Sequence, residues 1–164
     1  MLTTIAPLVK ENQQDYDLMS QFMLGATMGL NGFIAMGVPQ DWATHMIGHE
    51  LTALKGLTHG ATLAIVYPGM LRTLIDKKLD KLLQYGERIW GITTGLPVTR
   101  ATIAIDKTEE FFRNLGLATR LSEVNIGDDT IDEIERRFNA RNAAYGEDGD
   151  VTGAVAKQIL LNCK

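Results

Sequence analysis

The sequence predicts an all-α domain of six to eight helices, and three observations carry that prediction. Apolar residues recur at three- and four-residue spacing through most of the chain, separated by polar caps and glycines. No run alternates with period two for long enough to build a sheet. At 164 residues, 45% of them hydrophobic, the chain has the size and composition of one domain with its own core, spanning residues 1–164. It has no internal repeat and no low-complexity tract.

The elements follow in order. Leu18–Val38 is a stretch of 21 residues without a charge, long enough for a membrane span. Ser20, Gln21, Thr27 and Asn31 interrupt it, Gly25, Gly29 and Gly32 lower its hydropathy, and it lacks basic flanks. It therefore reads as a buried helix, apolar on most faces and central in the domain, closed by Pro39. Asp41 can cap the next helix, to which Trp42 and Met46 give an apolar face. Lys55-Gly56 is a stop signal, a cation in the last turn followed by a glycine able to take positive φ. Thr58 is a candidate cap for the segment Leu63–Leu74, which Pro68 should bend or interrupt.

Asp76–Trp90 is amphipathic, with Leu79, Leu82, Leu83 and Ile89 on one face and Lys77, Lys78, Asp80, Glu87 and Arg88 on the other. Gly91–Pro97 is a loop. Val98–Leu115 is a helix with Ile103, Phe111, Phe112 and Leu115 as candidate core residues, ended by Gly116. Arg120–Asp129 is a connector. Thr130–Ala144 is a charged helix whose start, Thr130-Ile131-Asp132-Glu133, has the form of a capping box. Gly146–Asp150 is an acidic turn, and Val151–Leu161 the last helix.

The net charge is −4, no basic block exists and aromatics make up 7% of the chain, so nothing marks a nucleic-acid surface. One cysteine, Cys163, rules out a disulfide within the chain and fits a reducing, cytoplasmic compartment. The start, MLTTIAPLVKENQQD, lacks the basic region and apolar core of a secretory signal. No strand with a Gly-rich turn opens the chain as it would a nucleotide-binding domain.

The candidate chemistry lies in Asp41–Val66, which holds all three histidines, His45, His49 and His59. His45 and His49 are four apart and would share one helix face, where they can hold a common ligand or serve as ordinary surface or core residues. The pattern is H-M-I-G-H, with Met46 where a zinc protease has its glutamate. Glu50 would face about 100° away from His49. On a continuous helix His45 and His59 would be about 21 Å apart, too far to share a metal. They can meet only if the helix stops early, with Gly56 supplying the break, and a connector from about Thr52 to Thr58 runs back antiparallel to it. Neutral imidazoles suit zinc or ferrous iron, but these residues alone leave a metal site incomplete. The nearest carboxylates are Asp41, better explained as a cap, and Glu50.

The block VPQDWATHMIGHELTALKGLTHGATLAIVYP, with LNGFIAMGVPQDW leading into it and KLLQYGERIWGIT and FFRNLGL after it, resembles a known family. It is similar to the C-terminal helical domain of the iron-containing (metal-dependent, group III) alcohol dehydrogenases, in the branch of NADPH-dependent aldehyde reductases and butanol dehydrogenases. The resemblance implies a dehydroquinate synthase-like C-terminal α-domain. It implies that His45 and His59 ligate Fe2+ or Zn2+. It also implies that His49 lies at the nicotinamide of NADP or NAD, as a cofactor-binding residue and a catalytic proton carrier.

The family's other two metal ligands, an aspartate and a histidine four residues after it, have no counterpart in this sequence, and the N-terminal nucleotide-binding α/β domain is absent. The resemblance thus implies part of an NAD(P)-dependent enzyme interconverting small alcohols and aldehydes, inactive alone. The alternative is a non-catalytic helical interaction module that retains the fold. An apolar face that normally lines a cleft would favour a homo-oligomer. Neither a nucleic-acid nor a membrane partner is expected.

Overall fold

Glycines and polar caps cut the chain into helices short enough to pack on one another. The computed structural model describes residues 2–164; Met1 lies outside them. The helices are α1 (Leu2–Glu11), α2 (Tyr16–Leu30), α3 (Ala43–Lys55), α4 (His59–Thr73), α5 (Leu79–Trp90), α6 (Pro97–Asn114), α7 (Asp128–Ala140) and α8 (Gly153–Leu161), with short 3-10 turns at Phe33–Ala35 and Ser122–Val124. Among the described residues there is no strand beyond an isolated bridge between Tyr145 and Val151, which closes the acidic turn. None of the helices is long and apolar enough to cross a membrane.

The hub is α4, which packs on α3, α6 and α8, while α5 pairs with α6 and α7 with α8. The core joins Ile47 and Leu51 of α3 to Ile65 and Val66 of α4, Ile105 of α6, Phe138 of α7 and Leu160 of α8, all fully buried. Gly69 lets α8 approach α4, since a Cβ there would lie 2.9 Å from the Ile159 carbonyl and collide with Cys163 Sγ. Burial pushes the Cys163 thiol up to about 12.

Several boundaries differ from the sequence expectation, each for a physical reason. The stretch expected to be central is peripheral. The α2 helix packs on α1 and the following 3-10 turn, with only Gly25 buried, and Met23, Leu24, Leu30, Phe33, Ile34 and Met36 are exposed. Hydropathy signals a need for cover without saying what supplies it.

Pro68 does not interrupt α4. A mid-helix proline costs about 3 kcal/mol, and packing on three neighbouring helices outweighs it. The helix also begins at His59, one turn before the expected Leu63. In α6, Ala101, Ala104, Ile105 and Thr108 face inward, which turns Ile103 outward and leaves Phe111, Phe112 and Leu115 half-buried. Ile89 of α5 is likewise exposed. Thr130 is no cap: α7 starts at Asp128, where Asp128 and Asp129 suit the positive helix end.

Two buried carboxylates tie distant helices together. Glu50 of α3 meets Arg137 at 3.2 Å and Arg141 at 2.5 Å, joining α3 to the end of α7. Glu109 of α6 accepts from Arg72 at 2.6 Å and Arg113 at 2.6 Å and pairs with Arg120 at 2.9 Å. Burial would raise the Glu109 carboxyl, but the Arg72 hydrogen bond and charge, with those of Arg120 and Arg113, hold it below the usual range.

Candidate functional site

The site is built by one reversal. The N-cap of α3 is Trp42, which makes no side-chain cap bond, and not the expected Asp41; one residue earlier, Asp41 Oδ1 accepts from the Ala43 amide at 2.8 Å and shapes the turn into the helix. Lys55 is its last residue, and Gly56, at φ 70°, reverses the chain, a conformation natural to glycine. Leu57 and Thr58 complete the turn, and α4 begins at His59. The Thr62 hydroxyl donates to the His59 carbonyl at 2.8 Å.

The two helices close tightly because residue 48 is glycine. A Cβ at Gly48 would lie 2.7 Å from Thr62 Oγ1, closer than real Cβ atoms come. That approach puts His59 against the face that carries His45 and His49.

The reversal required for His45 to reach His59 is present but shorter than the expected connector from Thr52: α3 stays helical through Lys55, and residues 56–58 alone make the turn. The rings of His45 and His59 lie 5.2 Å apart between centroids, and those of His49 and His59 lie 5.1 Å apart. His45 is half-buried beneath Trp42, which meets it edge-on at 4.9 Å; His49 and His59 are exposed. Burial, then the neighbouring His59 and His49, lower the pKa of His45 and favour its neutral form. Glu50 turns away, as its helical position requires, and is taken up by Arg137 and Arg141.

The donor chemistry fits a transition metal in part. With metal–nitrogen bonds of about 2.0–2.1 Å, two imidazoles at a tetrahedral angle place their centroids about 5 Å apart, and neutral imidazole is the ligating form. The spacing suits His45–His59 and His49–His59 equally, so distance alone does not choose between them. Among the described residues no three His, Cys, Asp or Glu side chains are gathered to hold an ion.

Beside His45 opens a cavity of about 620 Å³ between α4 and α5. Thr44, Tyr67, Met70, Leu82 and Phe112 are among the residues lining it. Burial, with Tyr85 and Asp41 nearby, pushes the Tyr67 phenol up to about 12, so it stays protonated. Neither this cavity nor the Gly48–Thr62 contact is evident from sequence reading, although a glycine set between two face-sharing histidines is a hint of close helix approach.

The profile of the Fe-containing alcohol dehydrogenase family, C-terminal, matches residues 1–147. The chain is 43% identical over 162 residues to the NADPH-dependent aldehyde reductase YqhD of Escherichia coli K-12, covering 97% of this chain and 42% of that protein. It is 40% identical to the NADP-dependent alcohol dehydrogenase 3 of Entamoeba histolytica, over 92% of this chain and 38% of that one. Superposed on the crystal structure of Escherichia coli YqhD, it gives a TM-score of 0.96 at 41% identity, covering 99% of this chain and 42% of the other. The NADH-dependent butanol dehydrogenase A of Thermotoga maritima shares the fold, with a TM-score of 0.90 at 24% identity, over 99% of this chain and 43% of that one. The chain thus spans about two fifths of the length of these relatives.

Proposed function

Because the chain belongs to the Fe-containing alcohol dehydrogenase family, as its C-terminal domain, we propose that it supplies part of the metal and substrate side of an NAD(P)-dependent enzyme that interconverts alcohols and aldehydes. The observation that carries this reading is the pairing of His45 and His59 at 5.2 Å across the Gly56 reversal. These two would hold ferrous iron or zinc, with further ligands coming from outside this sequence. When bound, such an ion polarises a carbonyl or alkoxide oxygen, and the nicotinamide supplies or accepts hydride.

The chain's own residues position and protonate. Gly48 and Thr62 set the distance between the two ligand-bearing helices. Trp42 covers one face of His45 and keeps it partly dry. His49, exposed one turn from His45, has the freedom to exchange a proton between the alcohol oxygen and water, beside the cofactor. The branch of aldehyde reductases and butanol dehydrogenases supports a short-chain aldehyde or alcohol as substrate, and the same relatives support NADP or NAD as cofactor.

Cobalt titration of the isolated chain tests the ligand assignment. The expected result is weak 1:1 binding, reduced at least tenfold by His45→Ala or His59→Ala and little changed by His49→Ala. Equal losses in all three variants, or binding indifferent to all of them, would overturn the assignment. The chain alone is expected to oxidise no NADPH with butanal and added ferrous iron; clear turnover in that assay would defeat the idea that the site is partial.

One observation favours a second reading, a binding module without chemistry. Met23, Leu24, Leu30, Phe33, Ile34 and Met36 form an uncovered apolar surface, the kind that marks an interface. Self-association through that face would make the chain a homo-oligomer.

A further inference from the structure

The α3 helix begins without help from its own N-cap. Trp42 makes no side-chain bond to the first turn, and Asp41 Oδ1 takes the Ala43 amide at 2.8 Å instead. The first backbone bond of the helix, from the Met46 amide to the Trp42 carbonyl at 3.0 Å, comes only after His45. Helix ends fray unless their amides are held. His45 is the third residue of α3 and sits in that first turn, whereas His49 lies one turn deeper. The two imidazoles that face His59 therefore do not stand on equally firm backbone.

What holds Asp41 is Lys78. The Lys78 ammonium meets Asp41 Oδ2 at 2.8 Å and Glu147 Oε1 at 2.9 Å. The Lys78 amide donates to the Leu74 carbonyl at 3.0 Å, and the Lys78 carbonyl accepts from the Leu82 amide at 2.8 Å, so its backbone is fixed where α4 passes into α5. Burial would lower the Lys78 ammonium, but hydrogen bonds and charges from Asp41 and Glu147 raise it above the ordinary lysine range. Gly146, at φ 91°, brings the acidic turn beside the pair: a Cβ there would lie 3.9 Å from Asp41 Oδ2. The Lys78 and Asp41 side chains are 12% and 15% exposed. Neighbouring Lys77 grips Asp148 and Asp150, which are 66% and 43% exposed. Of the two clasps, Lys78–Asp41 is the better sheltered from solvent and salt.

We propose that Lys78 is a positioning residue for His45: by holding Asp41 it locks the first turn of α3 and so fixes the His45 ring against His59, without governing His49. Its bearing on an oxidoreductase rests on the metal-ligand reading above. The ring placement itself requires no metal, so the two ideas fail separately.

The metal-free chain provides the first test, by amide exchange and nuclear Overhauser contacts. In Lys78→Met, exchange at Ala43 and Met46 should quicken about fivefold relative to Leu51, a buried residue of the same helix. The His45–His59 ring contact should weaken while the His49–His59 contact holds. Lys78→Arg, which keeps the charge, should restore both readings. Asp41→Asn keeps an acceptor for Ala43 and loses the ion pair; it should reproduce the effects and serves if Lys78→Met folds poorly. Lys77→Met frees the acidic turn, leaves the Lys78–Asp41 pair in place and should change neither reading. Cobalt affinity should fall about threefold in Lys78→Met, as the competent arrangement becomes less populated, and return to the parent value in Lys78→Arg.

Unchanged exchange and ring contacts in Lys78→Met would overturn the positioning role. So would equal loss of both ring contacts, which would mean a displaced helix, or an equal effect of Lys77→Met, which would put the cause in the acidic turn. A weakened His45–His59 contact with cobalt affinity unaltered would uphold the positioning role and sink the metal reading alone.

Discussion

Two helices of the same length and similar character meet opposite fates. Both α2 and α4 have 15 residues, and each carries a single charge, Asp17 in one and Arg72 in the other. Eight residues of α4 are buried against one of α2, so hydropathy does not decide which of them is the hub. Partners do: α4 lies between three helices, whereas α2 has one helix and a short turn. The α2 face is a surface waiting for a neighbour, and α4 is a surface that has found its neighbours.

Substitution can break that contrast. The largest effect is expected from Ile65→Ala in α4, a loss of about 3–4 kcal/mol read from the urea midpoint, while Leu24→Ala in α2 should change stability by no more than about 0.5 kcal/mol. Comparable losses at the two positions would dissolve the distinction.

Next comes the charge that anchors α4 to α6. Glu109→Gln should cost roughly 2 kcal/mol at neutral pH. The Glu109 carboxyl is held below its ordinary range. Its contribution is therefore fully present above the unfolded-state value and is lost as pH falls through the lowered folded-state value. Acid titration of stability should show a shallower fall for the variant than for the parent chain, and identical acid limbs would exclude Glu109 from that role.

A smaller effect tests the α3–α4 contact. Gly48→Ala should destabilise by about 1–2 kcal/mol through overpacking on Thr62, and Thr62→Ala in the same chain should recover part of it, as thermal melts would show. Smallest in stability is the pair Leu24→Lys and Ile34→Lys on the uncovered face. It should leave the urea midpoint nearly unchanged while lowering dye binding and concentration-dependent association severalfold, measured by fluorescence and light scattering.

The features legible in the sequence were those written locally. Lys55-Gly56 announced the end of α3, and the demand that His45 and His59 meet implied the reversal that the structure shows. The all-α class followed from periodicity. What the sequence hid depends on distant partners. Pro68 lies in an unbroken helix because three other helices hold it. Ile103 looked like core until Ile105 and Ala101 claimed the inward side of α6. The pairing of Glu50 with Arg141 spans 91 residues, and no local pattern foretells it. The cavity beside His45 is the divergence of two helices, a property of packing with no motif of its own.

The Gly56 reversal has a consequence for how the molecule assembles. His45 and His59 are 14 positions apart and meet through a three-residue turn between adjacent helices. Closing so short a loop costs little chain entropy, and contacts of such low sequence separation form early and quickly. The histidine cluster belongs to the most local part of the fold, a helical hairpin closed by three residues. The Glu50–Arg141 link, by contrast, closes a loop of 91 residues. A folding intermediate with α3 and α4 docked and α7 still loose would already carry the three imidazoles in their final arrangement.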